Sequence, residues 1–169
     1  MIPLLDYLWP SLIIGALVGV VAGLILWRRS LVGMQRNLAF GTAGLAAIAG
    51  FLLWSGPFGA ADRFINAVET PIRQMLVHYE MSQVRAELRH APLRRQIFYR
   101  GPADEVQRTE LVRMAEESPG IASATWSPKV RAIPIVVEGA AVALLGLLLG
   151  LLIAYLLDVR RRNNAEWRW

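Results

Sequence analysis

The chain has 169 residues, of which 55% are hydrophobic and 18% charged, with a formal net charge of +5 and no cysteine. The lack of thiols excludes disulfides, thiolate metal ligation and a cysteine nucleophile. Nor does the positive balance imply nucleic acid. Its excess sits in Arg28, Arg29 and Arg36 and in Arg160, Arg161, Arg162 and Arg168, each group beside the end of an apolar run.

The first apolar run extends from Leu4 to Trp27. It is long enough for an α-helix to cross a hydrocarbon core of ~30 Å, which takes roughly 20 residues. Trp9 and Trp27 bracket it and read as interfacial anchors. Gly15, Gly19 and Gly23 form overlapping GxxxG units, the spacing that lets membrane helices approach closely. After the arginine-bearing loop, the second run covers Leu38 to Phe58 and carries Ala43, Ala47 and Gly50.

Residues 59–131 are of soluble character, with 11 basic and nine acidic side chains. Phe64, Ile65, Val68, Ile72, Met75, Leu76, Tyr79 and Val84 recur at helical spacing, which predicts amphipathic helix from Ala61 to His90, interrupted near Thr70-Pro71. Leu93 to Arg100 reads as a strand closed by a turn at Gly101-Pro102. A helix opening at Ala103 or Asp104 carries Val106, Leu111, Val112 and Met114 and stops at Ser118-Pro119-Gly120. Ile121 to Trp126 is a further strand. On the charged helix, Glu105 with Arg108 and Arg113 with Glu116 or Glu117 have ion-pair spacing, so a solvated face is the simplest reading. His78 and His90 come with no HExxH, nucleophile elbow or phosphate loop. The basic residues Arg85, Arg89, Arg94, Arg95 and Arg100, with His90 among them, suggest a face for anionic headgroups or an acidic partner, against the commoner solvated face.

The stretch Gln96-Ile97-Phe98-Tyr99-Arg100-Gly101-Pro102-Ala103, then Asp104 to Glu117, then Pro119-Gly120-Ile121-Ala122-Ser123-Ala124, resembles the second half of a BON domain, a small α/β module of bacterial envelope proteins. The likeness covers roughly a fifth of the chain. The sequence departs from the pattern in lacking a separate strand before Gln96 and an asparagine-glycine hairpin turn there. The resemblance implies binding of phospholipid or partner proteins and brings no catalytic residues.

The third run covers Ala132 to Leu157 and carries Gly139, Ala143, Gly146 and Gly150. The small residues of the three runs serve either to pack the spans on one another or to dock one stripe onto another protein. Glu138, inside this run, is an intramembrane or interfacial carboxylate that implies a polar contact. In the tail, Trp167 and Trp169 are further interface anchors.

The expected architecture is an α-helical integral membrane protein with three transmembrane helices and a small periplasmic α/β domain inserted between helices 2 and 3. Its segments are 1–37 (first span and cytoplasmic loop), 38–58 (second span), 59–131 (BON-like domain), 132–157 (third span) and 158–169 (cytoplasmic tail). The positive flanks place the first loop and the C-terminus in the cytoplasm of a bacterial inner membrane, with the N-terminus and 59–131 periplasmic. The expected function is non-enzymatic: an accessory or scaffold subunit packed against a larger membrane complex, of respiratory or photosynthetic type. The alternative is a free-standing envelope protein that binds phospholipid or cell-wall components. Membrane lipids and other integral membrane subunits are the expected partners. No cofactor, metal, nucleic acid or small-molecule substrate is expected.

Overall fold

The computed structural model describes residues 3–28, 33–90, 92–127 and 132–166. In chain order they form α1 (Pro3–Arg28), α2 (Met34–Ser55), α3 (Ala60–His78), β1 (Arg85–His90), β2 (Leu93–Arg100), α4 (Glu105–Glu116), β3 (Ser123–Thr125) and α5 (Ile135–Glu166). Two compact units result: one comprises Met1–Tyr7 and Gly59–Glu138, the other Leu8–Phe58 and Gly139–Trp169. The α/β unit thus claims the first residues of α1 and the first turn of α5, beyond the 59–131 segment expected from the sequence.

Three helices are long and apolar enough to cross a membrane: α1 over Pro3–Trp27, α2 over Met34–Ser55 and α5 over Ile135–Asn164. Even α2, with 22 residues, reaches about 33 Å. The boundaries differ from the apolar runs. α2 begins at Met34, before Leu38. α5 begins only at Ile135, because Pro134 disfavours helix in the residue before it; the Pro134 carbonyl then accepts from Val137 at 3.0 Å. The charged tail is not separate from the third helix. α5 continues to Glu166, and Arg162 pairs with Asp158 one turn back at 2.8 Å. Trp167, Trp169, Arg29 and Arg168 lie outside the described residues.

In the helical unit the small residues let backbones meet. A methyl on Gly15 would overlap the Ala143 carbonyl oxygen, and one on Gly19 the Leu147 carbonyl oxygen. From the other side, methyls on Gly146 and Gly150 would overlap the carbonyl oxygens of Leu12 and Ala16, and one on Gly23 would meet the Ala154 methyl. Positions rise together on both helices, so α1 and α5 run parallel. α2 runs against both: Gly50 faces Ile14 and Phe51 fills the space over Gly139, while Ala43 and Ala47 pack with Leu147, Val18, Ala22 and Leu151. Each small residue singled out in the sequence therefore meets a neighbouring helix of its own unit.

In the α/β unit, α3 is a single helix through Pro71, where an interruption was expected. Pro71 and the Ala67 carbonyl it leaves without a donor are both on the exposed side. The opposite stripe of Phe64, Val68, Ile72 and Leu76 is buried, at about 1.5–3 kcal/mol per side chain. The helix ends at His78, not His90, with Glu80 in the left-handed region (φ 57°) and the Met81 amide bonded back to the Leu76 carbonyl. Residues 85–90, read as helix, form β1. It pairs antiparallel with β2, and β2 pairs parallel with β3, giving the order β1-β2-β3. Gly101 (φ 132°) turns the chain after β2, where a side chain would strike the Gln83 carbonyl oxygen.

Helix α4 starts with a reciprocal cap: Asp104 accepts from the Gln107 amide and Gln107 from the Asp104 amide. Tyr99 holds it to the sheet through its hydroxyl, donated to the Leu111 carbonyl at 3.1 Å, and burial pushes that phenol well above its ordinary pKa. Both outer strands are capped by helix carboxylates. Glu69 of α3 accepts from the Leu88 amide of β1 at 2.9 Å, and Glu116 of α4 from the Ala124 amide of β3 at 3.2 Å. A sheet edge otherwise invites pairing with foreign strands. Of the expected pairs, Arg113 takes the Glu117 alternative at 3.1 Å, and Glu105–Arg108 gives way to another contact. Arg113 bonds Glu110 and Glu117, and Arg108 lies over the Trp126 ring.

Candidate functional site: the helix-free face of the sheet

Alternation along the hairpin sorts its side chains. Ala86, Leu88, Ile97 and Tyr99 are buried on the helix side. Arg85, Glu87, Phe98 and Arg100 take the other face, with Arg85 opposite Arg100 and Glu87 opposite Phe98. The Arg100 guanidinium lies 5.0 Å from the centre of the Phe98 ring. A hollow of about 300 Å³ opens here, lined by Glu87, Leu88, Arg89, His90, Phe98 and Arg100.

The basic run seen in the sequence is divided by the fold. Arg94 and Arg95 have internal roles: Arg94 donates to the Ala132 carbonyl, and Arg95 donates to the Gly120 carbonyl (3.2 Å) and pairs with Glu138 at 3.0 Å. An isolated bridge between Arg94 and Pro134 reinforces this junction. Glu138 thus has an intrachain partner in the first turn of α5, with about a quarter of its side chain exposed. Arg85 and Arg100 remain exposed, and Arg89 is half-buried.

Of the tryptophans, Trp9 is 61% exposed and Trp27 packs against Tyr155 at 5.7 Å. His90 reaches Glu69 at 3.3 Å and His78 lies against Tyr79. Among the described residues, no cluster of three histidine, aspartate or glutamate side chains is arranged to hold a metal ion.

Two features were not read from the sequence. Glu69 is buried, accepts from Arg73 (2.6 Å) and from the Leu88 amide, and lies 3.3 Å from the His90 ring nitrogen Nε2; the available signal was a carboxylate on the apolar stripe with Ile65, Ile72 and Leu76. Gly41 and Gly44 of α2 are the second. A methyl at either would meet nothing within 4 Å.

Compared with protein-family models, curated proteins and solved structures, the chain matches none.

Proposed function

We propose that this chain is a non-catalytic accessory or scaffold subunit that packs against a larger complex in a bacterial inner membrane. Residues 59–131 would lie on the periplasmic side as a binding module. The observation that carries the reading is the open groove at Gly41 and Gly44. The small residues singled out in the sequence are consumed by packing within the chain, so they no longer argue for a partner. Gly41 and Gly44 are not consumed, although glycine in a helix costs about 1 kcal/mol relative to alanine. A groove of this kind on an apolar helix suits close approach by a helix of another subunit. Complexes of respiratory or photosynthetic type are hosts of the right kind.

Blue-native electrophoresis of gently solubilised membranes tests this. Wild-type protein should migrate within a discrete larger species, and Gly41→Leu with Gly44→Leu should release it as a small species. Wild-type migration as a monomer or small homo-oligomer would remove the reading.

The orientation rests on the arginine clusters and has its own test, made simple by the absence of native cysteine. An impermeant maleimide applied to spheroplasts should label Thr109→Cys and leave Asn163→Cys unlabelled until the membrane is opened. The reverse pattern would invert the topology.

One observation favours a second reading, a free-standing lipid- or cell-wall-binding envelope protein. The strand that the BON resemblance lacked before Gln96 exists as β1, giving a helix–strand–strand–helix–strand unit. Under that reading the monomeric outcome above is the expected one.

A further inference from the structure

The β1–β2 register sets two arginines, Arg85 and Arg100, directly opposite each other on the face of the sheet away from Ala86, Leu88, Ile97 and Tyr99. Like charges at directly opposed positions destabilise a sheet, and opposite charges are the favoured alternative. Among the described residues, neither guanidinium has a carboxylate partner. The ion pairs among the described residues involve Glu69, Glu110, Glu117, Glu138 and Asp158, and none includes Arg85, Arg100 or Glu87. Local rules tend to be broken where a binding function demands it.

The surroundings describe what would relieve this pair. Stacking on Phe98 restrains the Arg100 guanidinium, so less freedom is lost when it takes a planar, two-oxygen partner. Next to it, the hollow of about 300 Å³ admits a side chain or a short extended segment. Glu87 stands between Arg85 and Arg89 along the strand and interrupts the positive field. A uniformly anionic surface, such as a bilayer or a phosphodiester chain, meets repulsion there. A polypeptide that alternates acidic with neutral or basic residues does not. Phe98 is held under Arg100 and half-buried, so it is poorly placed to enter acyl chains.

We propose that this face receives a carboxylate-bearing extended segment of a partner protein, with one carboxylate gripped between Arg85 and Arg100. The proposal rests on the accessory-subunit reading for the existence of such a partner, and names the chemistry by which the periplasmic unit recognises it.

The test uses the full chain in nanodiscs of phosphatidylcholine, with a rhodamine-labelled peptide of repeating Glu-Ala as the probe, read by fluorescence anisotropy. Binding should weaken as salt rises, and Arg85→Gln combined with Arg100→Gln should reduce affinity roughly tenfold. The variant Arg85→Glu supplies a second readout. It turns the opposed arginines into an ion pair, so its thermal midpoint should rise while peptide binding is lost. A merely structural arginine would show the opposite change in midpoint.

Absence of wild-type binding at low salt would overturn the proposal, as would unchanged affinity without the two arginines or a lowered midpoint in Arg85→Glu. It would also be overturned if the same two arginines governed binding to phosphatidylglycerol vesicles while the peptide did not bind. Failure here with intact co-migration on native gels leaves the accessory-subunit reading standing. Peptide binding by a wild-type protein that never co-migrates sinks that reading alone.

Discussion

Gly146→Leu is expected to abolish cooperative melting of the helical unit, while Gly44→Leu leaves it intact. At Gly146 an added side chain runs into the Leu12 carbonyl oxygen, a backbone atom that cannot rotate away. Relief requires the whole of α1 to separate from α5, which would also break the Gly15–Ala143 and Gly150–Ala16 approaches. Overpacking a core usually costs about 1–3 kcal/mol, with larger values where the obstacle is backbone. A methyl on Gly44 would meet nothing within 4 Å, so the same substitution there should change stability by no more than ~0.5 kcal/mol. Thermal or denaturant melting in mild detergent, followed by helix signal, measures both. Equal losses at the two positions would mean that the α1–α5 contact is not what holds the unit together. The contrast also protects the native-gel test, because Gly41 and Gly44 variants should lose a partner without losing their fold.

Glu69→Leu is expected to destabilise the α/β unit by about 1–3 kcal/mol, the cost of leaving a buried amide without its acceptor. The amide is that of Leu88, a residue 1% exposed, and the carboxylate itself is 5% exposed. Loss of the contacts with Arg73 and His90 should add little, since those side chains are 67% and 56% exposed and water takes over their solvation. Glu69→Gln keeps an acceptor oxygen and should therefore fall between leucine and wild type. Glu110→Gln, at an exposed pair with Arg113, should leave the midpoint unchanged. Hydrogen exchange at the Leu88 amide gives the local readout: it should accelerate in Glu69→Leu well beyond the change at Tyr99, on the neighbouring strand. If Leu88 stays as protected as in wild type, Glu69 is not the cap of that sheet edge.

These outcomes bear on the fold because the two capped edges leave the sheet few ways to pair with other chains. Glu69 and Glu116 each occupy one amide of an outer strand. The helix side is filled by α3 and α4.

Much of the chain's organisation follows from short-range properties. The length and apolarity of the three helices, the cap at Asp104 and Gln107, the strand from Leu93 and the turn at Gly101 are all set within a few residues, so local patterning suffices to find them. Elsewhere local cues point away from the final state. Glu80 occupies the left-handed stop position after α3, where glycine is usual, so nothing announced the end of the helix. The following Arg-Ala-Glu-Leu-Arg-His consists largely of good helix formers, and only its pairing with β2 makes it a strand.

The sequence by itself determined that the chain has three helices able to span a membrane, a mixed-charge segment between the second and third, and small residues spaced for close packing. Tertiary structure alone decided how those parts are used. It committed Arg94 and Arg95 to the start of α5, gave Glu138 its partner, buried Glu69 against an edge amide and left Arg85 facing Arg100. It also filled every glycine stripe of the spans except the pair at Gly41 and Gly44. The reason is physical: spacing reveals which residues share a face. Whether a charge is satisfied or a groove occupied depends on groups brought close from distant parts of the chain.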